Sequence, residues 1–122
     1  MKILIVEDSE VIRKGVLEML GTFDGLVIFE AENGPKALEI FQNEIPDIVV
    51  LDLGLPYVSG FEVLRKIKNQ NTPAKVIVLT NHSEKSFSDI CVKYGADYFF
   101  DKSTQLDEFV STVKIIQKEY TN

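Results

Sequence analysis

The sequence predicts an α/β fold: a doubly wound, five-stranded parallel sheet with helices on both faces. Three observations predict it. Five short apolar runs punctuate the chain. The runs do not alternate with polar residues, which is how strands buried on both faces of a parallel sheet read. Each run is followed by a segment with helical apolar spacing, and four of the five open on a capping residue. Five such units joined by right-handed crossovers place helices on both sides of the sheet. For five strands the expected order is 2-1-3-4-5, the flavodoxin-like winding, with its switch point between the first and third strands.

The elements follow in order. Ile3-Leu4-Ile5-Val6 is the first strand. Ser9 caps a helix that runs through Leu20 and stops at Gly21. Leu26-Val27-Ile28-Phe29 is the second strand. Asn33 caps the second helix, with Pro35 in its first turn and Ala37, Leu38, Phe41 and Ile45 on its apolar side. Ile48-Val49-Val50-Leu51 is the third strand. The third helix spans Gly60 to Lys68 and carries Phe61, Leu64 and Ile67. Val76-Ile77-Val78-Leu79 is the fourth strand. Ser83 caps the fourth helix, where Phe87, Ile90, Cys91 and Tyr94 fall at helical spacing. Tyr98-Phe99-Phe100 is a weaker fifth strand. Thr104 with Asp107 reads as a capping box for the fifth helix. That helix buries Leu106, Phe109, Val110, Val113 and Ile116, and Ile115 falls off the stripe.

The chain has 122 residues, which predicts one domain over 1–122. Its formal net charge of −6 argues against direct nucleic-acid binding, which needs a basic footprint. One cysteine, Cys91, rules out an intramolecular disulfide. The first apolar run is too short for a signal-peptide core, and acids follow it at once. No stretch reaches the roughly 20 apolar residues of a membrane span. A cytoplasmic protein that does not enter a membrane is expected.

In such sheets the working crevice lies at the carboxyl ends of the strands, at the switch point. Glu7 and Asp8 follow the first strand, Asp52 ends the third, Thr80 ends the fourth and Lys102 follows the fifth. The strand order brings these ends side by side. Three carboxylates this close repel one another unless a cation joins them. A hard divalent cation, Mg²⁺ or Mn²⁺, suits an all-oxygen set and keeps waters that a phosphate oxygen can replace. Lys102 is a point charge suited to phosphate, and Thr80 can donate a hydrogen bond. Phosphoryl transfer asks mainly for in-line positioning and neutralised oxygens. Asp52 is then the attacking carboxylate, forming an acyl phosphate.

The chain resembles the receiver domains of two-component response regulators over nearly its whole length. The resemblance rests on Ile3 to Asp8 followed by Ser9, on Asp52-Leu53-Gly54-Leu55-Pro56 with Gly60 beyond, on Leu79-Thr80, and on Tyr94 through Lys102. It implies that Asp52 is the phosphoacceptor, and that Glu7, Asp8 and the Gly54 backbone carbonyl join Asp52 around Mg²⁺. It implies that Thr80 and Lys102 contact the phosphoryl group. Phe99 matches the aromatic that turns inward when the hydroxyl moves. The implied donor is a histidine kinase or histidine phosphotransfer protein. The implied consequence is a shift of the face made by the fourth helix, fifth strand and fifth helix, which can also support a homodimer or an output protein. Such a chain is not a conventional enzyme, although it assists its own phosphorylation and dephosphorylation.

Five positions depart from the usual pattern or tune it. Glu7 stands where Asp is commoner. Ser103 follows Lys102 where the family usually has Pro with a cis bond. A cis bond without proline costs about 2.5–4 kcal/mol, so either a trans bond with a shifted loop or a strained cis bond is expected. Asn81 follows Thr80 where a small residue is usual, and it could narrow access. Gly54 and His82 occupy the two variable positions that tune dephosphorylation in the family. Two alternatives stand beside the phosphorylatable reading: a phosphorylation-independent interaction module, and the receiver part of a longer regulator with a DNA-binding or enzymatic output. A flavin carrier on the same winding is disfavoured. Glu7-Asp8-Ser9-Glu10 would repel a phosphate where that function needs a Ser/Thr/Gly-rich cradle.

Overall fold

β-branched and leucine-rich runs form a parallel sheet, and the residues between them coil into helices that cover it. The computed structural model describes residues 1–121. Its elements are β1 (Lys2–Val6), α1 (Glu10–Leu20), β2 (Val27–Ala31), α2 (Gly34–Glu44), β3 (Ile48–Leu51), α3 (Gly60–Lys68), β4 (Lys75–Thr80), α4 (Lys85–Lys93), β5 (Tyr98–Asp101) and α5 (Leu106–Thr121). The strand order is β2-β1-β3-β4-β5, with every neighbouring pair parallel. This is the predicted winding.

Successive side chains of a strand point to opposite faces, so each central strand feeds two cores. Leu4, Val6, Val49, Leu51, Val76 and Val78 pack with Ala37 and Phe41 of α2, Val63, Leu64 and Ile67 of α3, and Cys91 of α4. Ile3, Ile5, Ile48, Val50, Ile77 and Leu79 pack with Val16 and Leu20 of α1 and Phe109, Val113 and Ile116 of α5. Full burial of one such aliphatic side chain contributes roughly 1.5–3 kcal/mol before chain entropy is charged against it. This double commitment explains why β1, β3 and β4 lack polar alternation.

The caps show where local chemistry prevailed. Ser9, Asn33 and Ser59 each accept a backbone amide at the start of α1, α2 and α3. Ser83 does not cap α4, contrary to the sequence reading. Glu84 holds that position without a side-chain bond, because the Ser83 hydroxyl is committed to Asp101. Thr104 does not open α5 either. The Asp101 carbonyl takes the amides of Thr104 and Gln105 in a tight turn, and the helix begins at Leu106.

Three apolar expectations are corrected by the structure. β2 runs from Val27 to Ala31 rather than from Leu26 to Phe29. It is an edge strand, so Val27 remains 52% exposed. Ile45 is not on the buried side of α2. It is the left-handed C-cap, at φ 47°, and is 66% exposed. Ile90 lies at the rim of the α4 stripe and is exposed, whereas Cys91 is buried. Ile115 is 55% exposed, as its place off the α5 stripe predicts.

Gly60 fixes the depth at which α3 meets the sheet. A Cβ there would stand 2.2 Å from the Asp52 carbonyl oxygen and 2.5 Å from the Leu53 Cα. The Gly60 amide donates to the Leu53 carbonyl at 3.0 Å. The first turn of α3 thus rests directly on the chain that carries Asp52. Among the described residues no helix is long and apolar enough to cross a membrane.

Candidate functional site: an acidic cradle at the strand ends

Parallel pairing aligns the carboxyl ends of β1, β3, β4 and β5 at the switch point, where polar side chains are drawn into a largely apolar setting. Glu7, Asp52 and Thr80 are buried. Asp8 is exposed at the mouth. Carboxylate oxygens of Glu7, Asp8 and Asp52 all lie within 4.8 Å of one another. This is the three-acid cluster expected from the sequence.

Glu7 is held from several sides. Its Oε2 accepts the Ser9 amide at 3.1 Å. Its Oε1 forms a close ion pair with the Lys102 ammonium. The Arg13 guanidinium donates to the Glu7 carbonyl at 2.7 Å and to Glu30 at 2.9 Å. Burial nevertheless raises the Glu7 carboxyl above its ordinary value, outweighing the lowering contact of Lys102. Lys102 also stands 3.5 Å from Asp52 Oδ1. One ammonium therefore neutralises two of the three acids.

Thr80 and Lys102 meet through the backbone as well. The Lys102 amide donates to the Thr80 carbonyl at 3.0 Å. The Thr80 hydroxyl accepts the His82 amide at 3.1 Å. Gly54 lies beside the acceptor: a Cβ on it would be 3.8 Å from Asp52 Oδ2 and 3.3 Å from His82 Nε2. The imidazole of His82 thus takes the space that the missing side chain leaves, and its far edge meets the Phe87 ring with centroids 6.0 Å apart. Phe99 is half-buried on the α4 side of β5, while Phe100 stacks on Tyr98 on the other side.

The Lys102–Ser103 bond is trans. Ser103 turns the chain by donating its amide to Asp101 Oδ1 at 2.7 Å. Its hydroxyl donates to Asn81 Oδ1 at 3.1 Å. Sequence reasoning found each of these two residues as a departure but not their contact, which spans 22 positions along the chain. It also missed Arg13. An arginine on the exposed first turns of a helix carries no signal that it reaches back to the preceding strand end.

The donor set is all oxygen, closely spaced and open on the Asp8 side, which fits a hard divalent cation. A cation there would relieve the repulsion that Lys102 relieves in its absence. Beside the site, an apolar groove between α1 and α5 is lined by Ile12, Val16, Met19 and Leu106, with Asn81 and Lys102 at its end.

Comparisons with known proteins identify the family to which this fold belongs. Residues 3–114 match the family model described as the response regulator receiver domain. The response regulator GacA of Pseudomonas syringae pv. syringae is 30% identical over 116 residues, which are 94% of this chain and 54% of that protein. A cyclic di-GMP phosphodiesterase of Thermotoga maritima is 38% identical over 107 residues, covering 88% of this chain and 28% of that protein. The chain thus spans about half the first relative and less of the second. A crystal structure of a LuxR-family two-component response regulator from Aurantimonas sp. SI85-9A1 superimposes with a TM-score of 0.87 at 28% identity, covering 94% of this chain and 83% of that one. The family match extends over nearly every strand and helix described above, and the chain belongs to the response regulator receiver domains of two-component signalling.

Proposed function

We propose that Asp52 accepts a phosphoryl group from a phosphohistidine and that Glu7, Asp8, Asp52 and the Gly54 carbonyl hold the Mg²⁺ or Mn²⁺ that assists it. The observation that carries this reading is the placement of a buried carboxylate between an all-oxygen cation cradle and an ammonium 3.5 Å away. An Asp52 oxygen forms the new O–P bond while the P–N bond to the donor imidazole breaks. The leaving nitrogen keeps the bond electrons and takes a proton, which restores neutral histidine. Lys102 supplies positive charge to the transferred oxygens, and the Thr80 hydroxyl can leave the His82 amide to donate to one of them. The divalent cation supplies further neutralisation of those oxygens when bound.

The donor is a histidine kinase or histidine phosphotransfer protein, and the groove lined by Ile12, Met19 and Leu106 beside Lys102 offers it an apolar seat. Phe99 is the readout, through its contact with the core under α4. Ile90, Tyr98 and Ile115 give the α4-β5-α5 face exposed apolar side chains for an output protein or a second copy. Longer relatives include a putative transcriptional regulator of Pseudomonas aeruginosa and a cyclic di-GMP phosphodiesterase of Thermotoga maritima, so a joined DNA-binding or enzymatic domain is the alternative output. The setting for such a cascade is the cytoplasm. His82, packed over Gly54, is the side chain that meets water approaching the phosphoryl group.

The test is mass spectrometry after incubation with acetyl phosphate and Mg²⁺. A gain of about 80 Da is expected in the native chain and not in Asp52→Asn. The same gain in both, or none in the native chain, sinks the reading.

A further inference from the structure

Thr80 and Lys102 are each followed by a residue that the other's neighbour touches. Asn81 comes after Thr80 and Ser103 after Lys102, and the Ser103 hydroxyl donates to Asn81 Oδ1 at 3.1 Å. We infer that Ser103 is a positioning residue: it tethers the Asn81 amide on the α5 side of the crevice and so keeps the approach to Asp52 open. This inference rests on Asp52 being the phosphoacceptor.

Three placements support it. Asn81 lines the groove between α1 and α5 together with Lys102 and Leu106. The next residue, His82, points the other way, over Gly54 and beside Asp52. The two side chains therefore flank the opening, and Asn81 is joined to the opposite loop by the Ser103 hydroxyl. The anchor for that partner is firm. Ser103 is fixed by its own amide on Asp101 Oδ1 at 2.7 Å, and the Asp101 amide is held in turn by Gln105 Oε1 at 2.8 Å. A second link joins the same two loops, since the Ser83 hydroxyl holds the Asp101 carboxyl below its ordinary value. Without the tether the Asn81 amide is free to rotate over the neighbouring strand end, where Asp52 lies.

A tether differs from general loop support in its pattern of epistasis. The rate of Asp52 phosphorylation by acetyl phosphate at saturating Mg²⁺ is measured for the native chain, Ser103→Ala, Ser103→Thr, Asn81→Ala and the double variant Asn81→Ala/Ser103→Ala. Ser103→Ala is expected to slow the reaction about threefold to tenfold, the population shift given by one net hydrogen bond. Ser103→Thr keeps the hydroxyl and should retain the native rate. Asn81→Ala should be at least as fast as the native chain, and adding Ser103→Ala to it should change nothing. Thermal midpoints of all variants check that folding is intact. An equal slowing by Ser103→Ala in both backgrounds, or none in the native background, overturns the tether and leaves Asp52 as acceptor. A native chain that takes no phosphoryl group overturns both.

Discussion

Two glycines in helices make opposite predictions, and the difference tests how the Asp52 strand end is built. Replacing glycine by alanine in a helix interior normally gains about 1 kcal/mol, because alanine loses less backbone freedom. Gly15 in α1 has nothing within 4 Å of an added Cβ. Gly15→Ala should therefore stabilise by about 1 kcal/mol, or raise the midpoint by about 4 °C for a chain of this length. Gly60 in α3 has the Asp52 carbonyl oxygen at 2.2 Å and the Leu53 Cα at 2.5 Å from the same added atom. Both are backbone atoms, so no rotamer change relieves the overlap. Overpacking against fixed atoms costs roughly 1–3 kcal/mol or more, and here the upper end applies. Gly60 opens α3, where the interior gain does not apply, so Gly60→Ala should lose about 3 kcal/mol, or lower the midpoint by about 12 °C. Calorimetry or circular dichroism melts of both variants decide it. Gly60→Ala melting at or above the native protein would refute the direct seating of α3 on the Asp52 strand end. A second readout follows from the same clash, because pushing the Asp52 carbonyl disturbs the cradle and should weaken Mg²⁺ binding.

On the proposed reading, Lys102 and a divalent cation would compete for Glu7 and Asp52, both of which Lys102 contacts. A unit pair at about 4 Å is worth roughly 1–4 kcal/mol between bulk water and a protein surface, so Lys102→Met should tighten Mg²⁺ about tenfold by titration calorimetry; unchanged affinity would show that the two do not share ligands. Burial raises the Glu7 carboxyl, so the folded chain holds that proton more tightly than the unfolded chain. Its contribution to stability is complete below the ordinary value of 4.5 and is lost as pH rises through the raised folded value. Urea melts across that interval should show a smaller fall with pH in Glu7→Gln, and an identical slope would contradict the assignment. Burial pushes the Cys91 thiol up to about 11. A thiol reagent at pH 8 should leave the native protein unmodified and react fully in urea. Because the unfolded thiol titrates near 9.0, stability should also fall as pH rises from there towards about 11.

The sequence by itself determined the winding and where most of the candidate site residues lie in it. β1, β3 and β4 are legible because a strand serving two cores must be apolar at every position, and that pattern leaves a run no helix of the same length would need. Asp52, Glu7, Asp8, Thr80 and Lys102 are legible because each ends or follows a strand, and the strand order alone brings them together. Local capping chemistry was a poorer guide where a tertiary partner competed. Ser83 and Thr104 carry cap residues, yet one hydroxyl went to Asp101 and the other position was absorbed into the turn before α5. Edge placement exposed Val27, and a left-handed cap exposed Ile45. Only the tertiary structure could decide the trans Lys102–Ser103 bond, the reach of Arg13 to Glu7, the seat of His82 over Gly54 and the contact of Ser103 with Asn81. Each depends on where a side chain from one loop ends relative to another loop. Hydrophobic period fixes which face a residue takes, but it carries no information about the ångström-scale distance between two polar groups on separate strand ends.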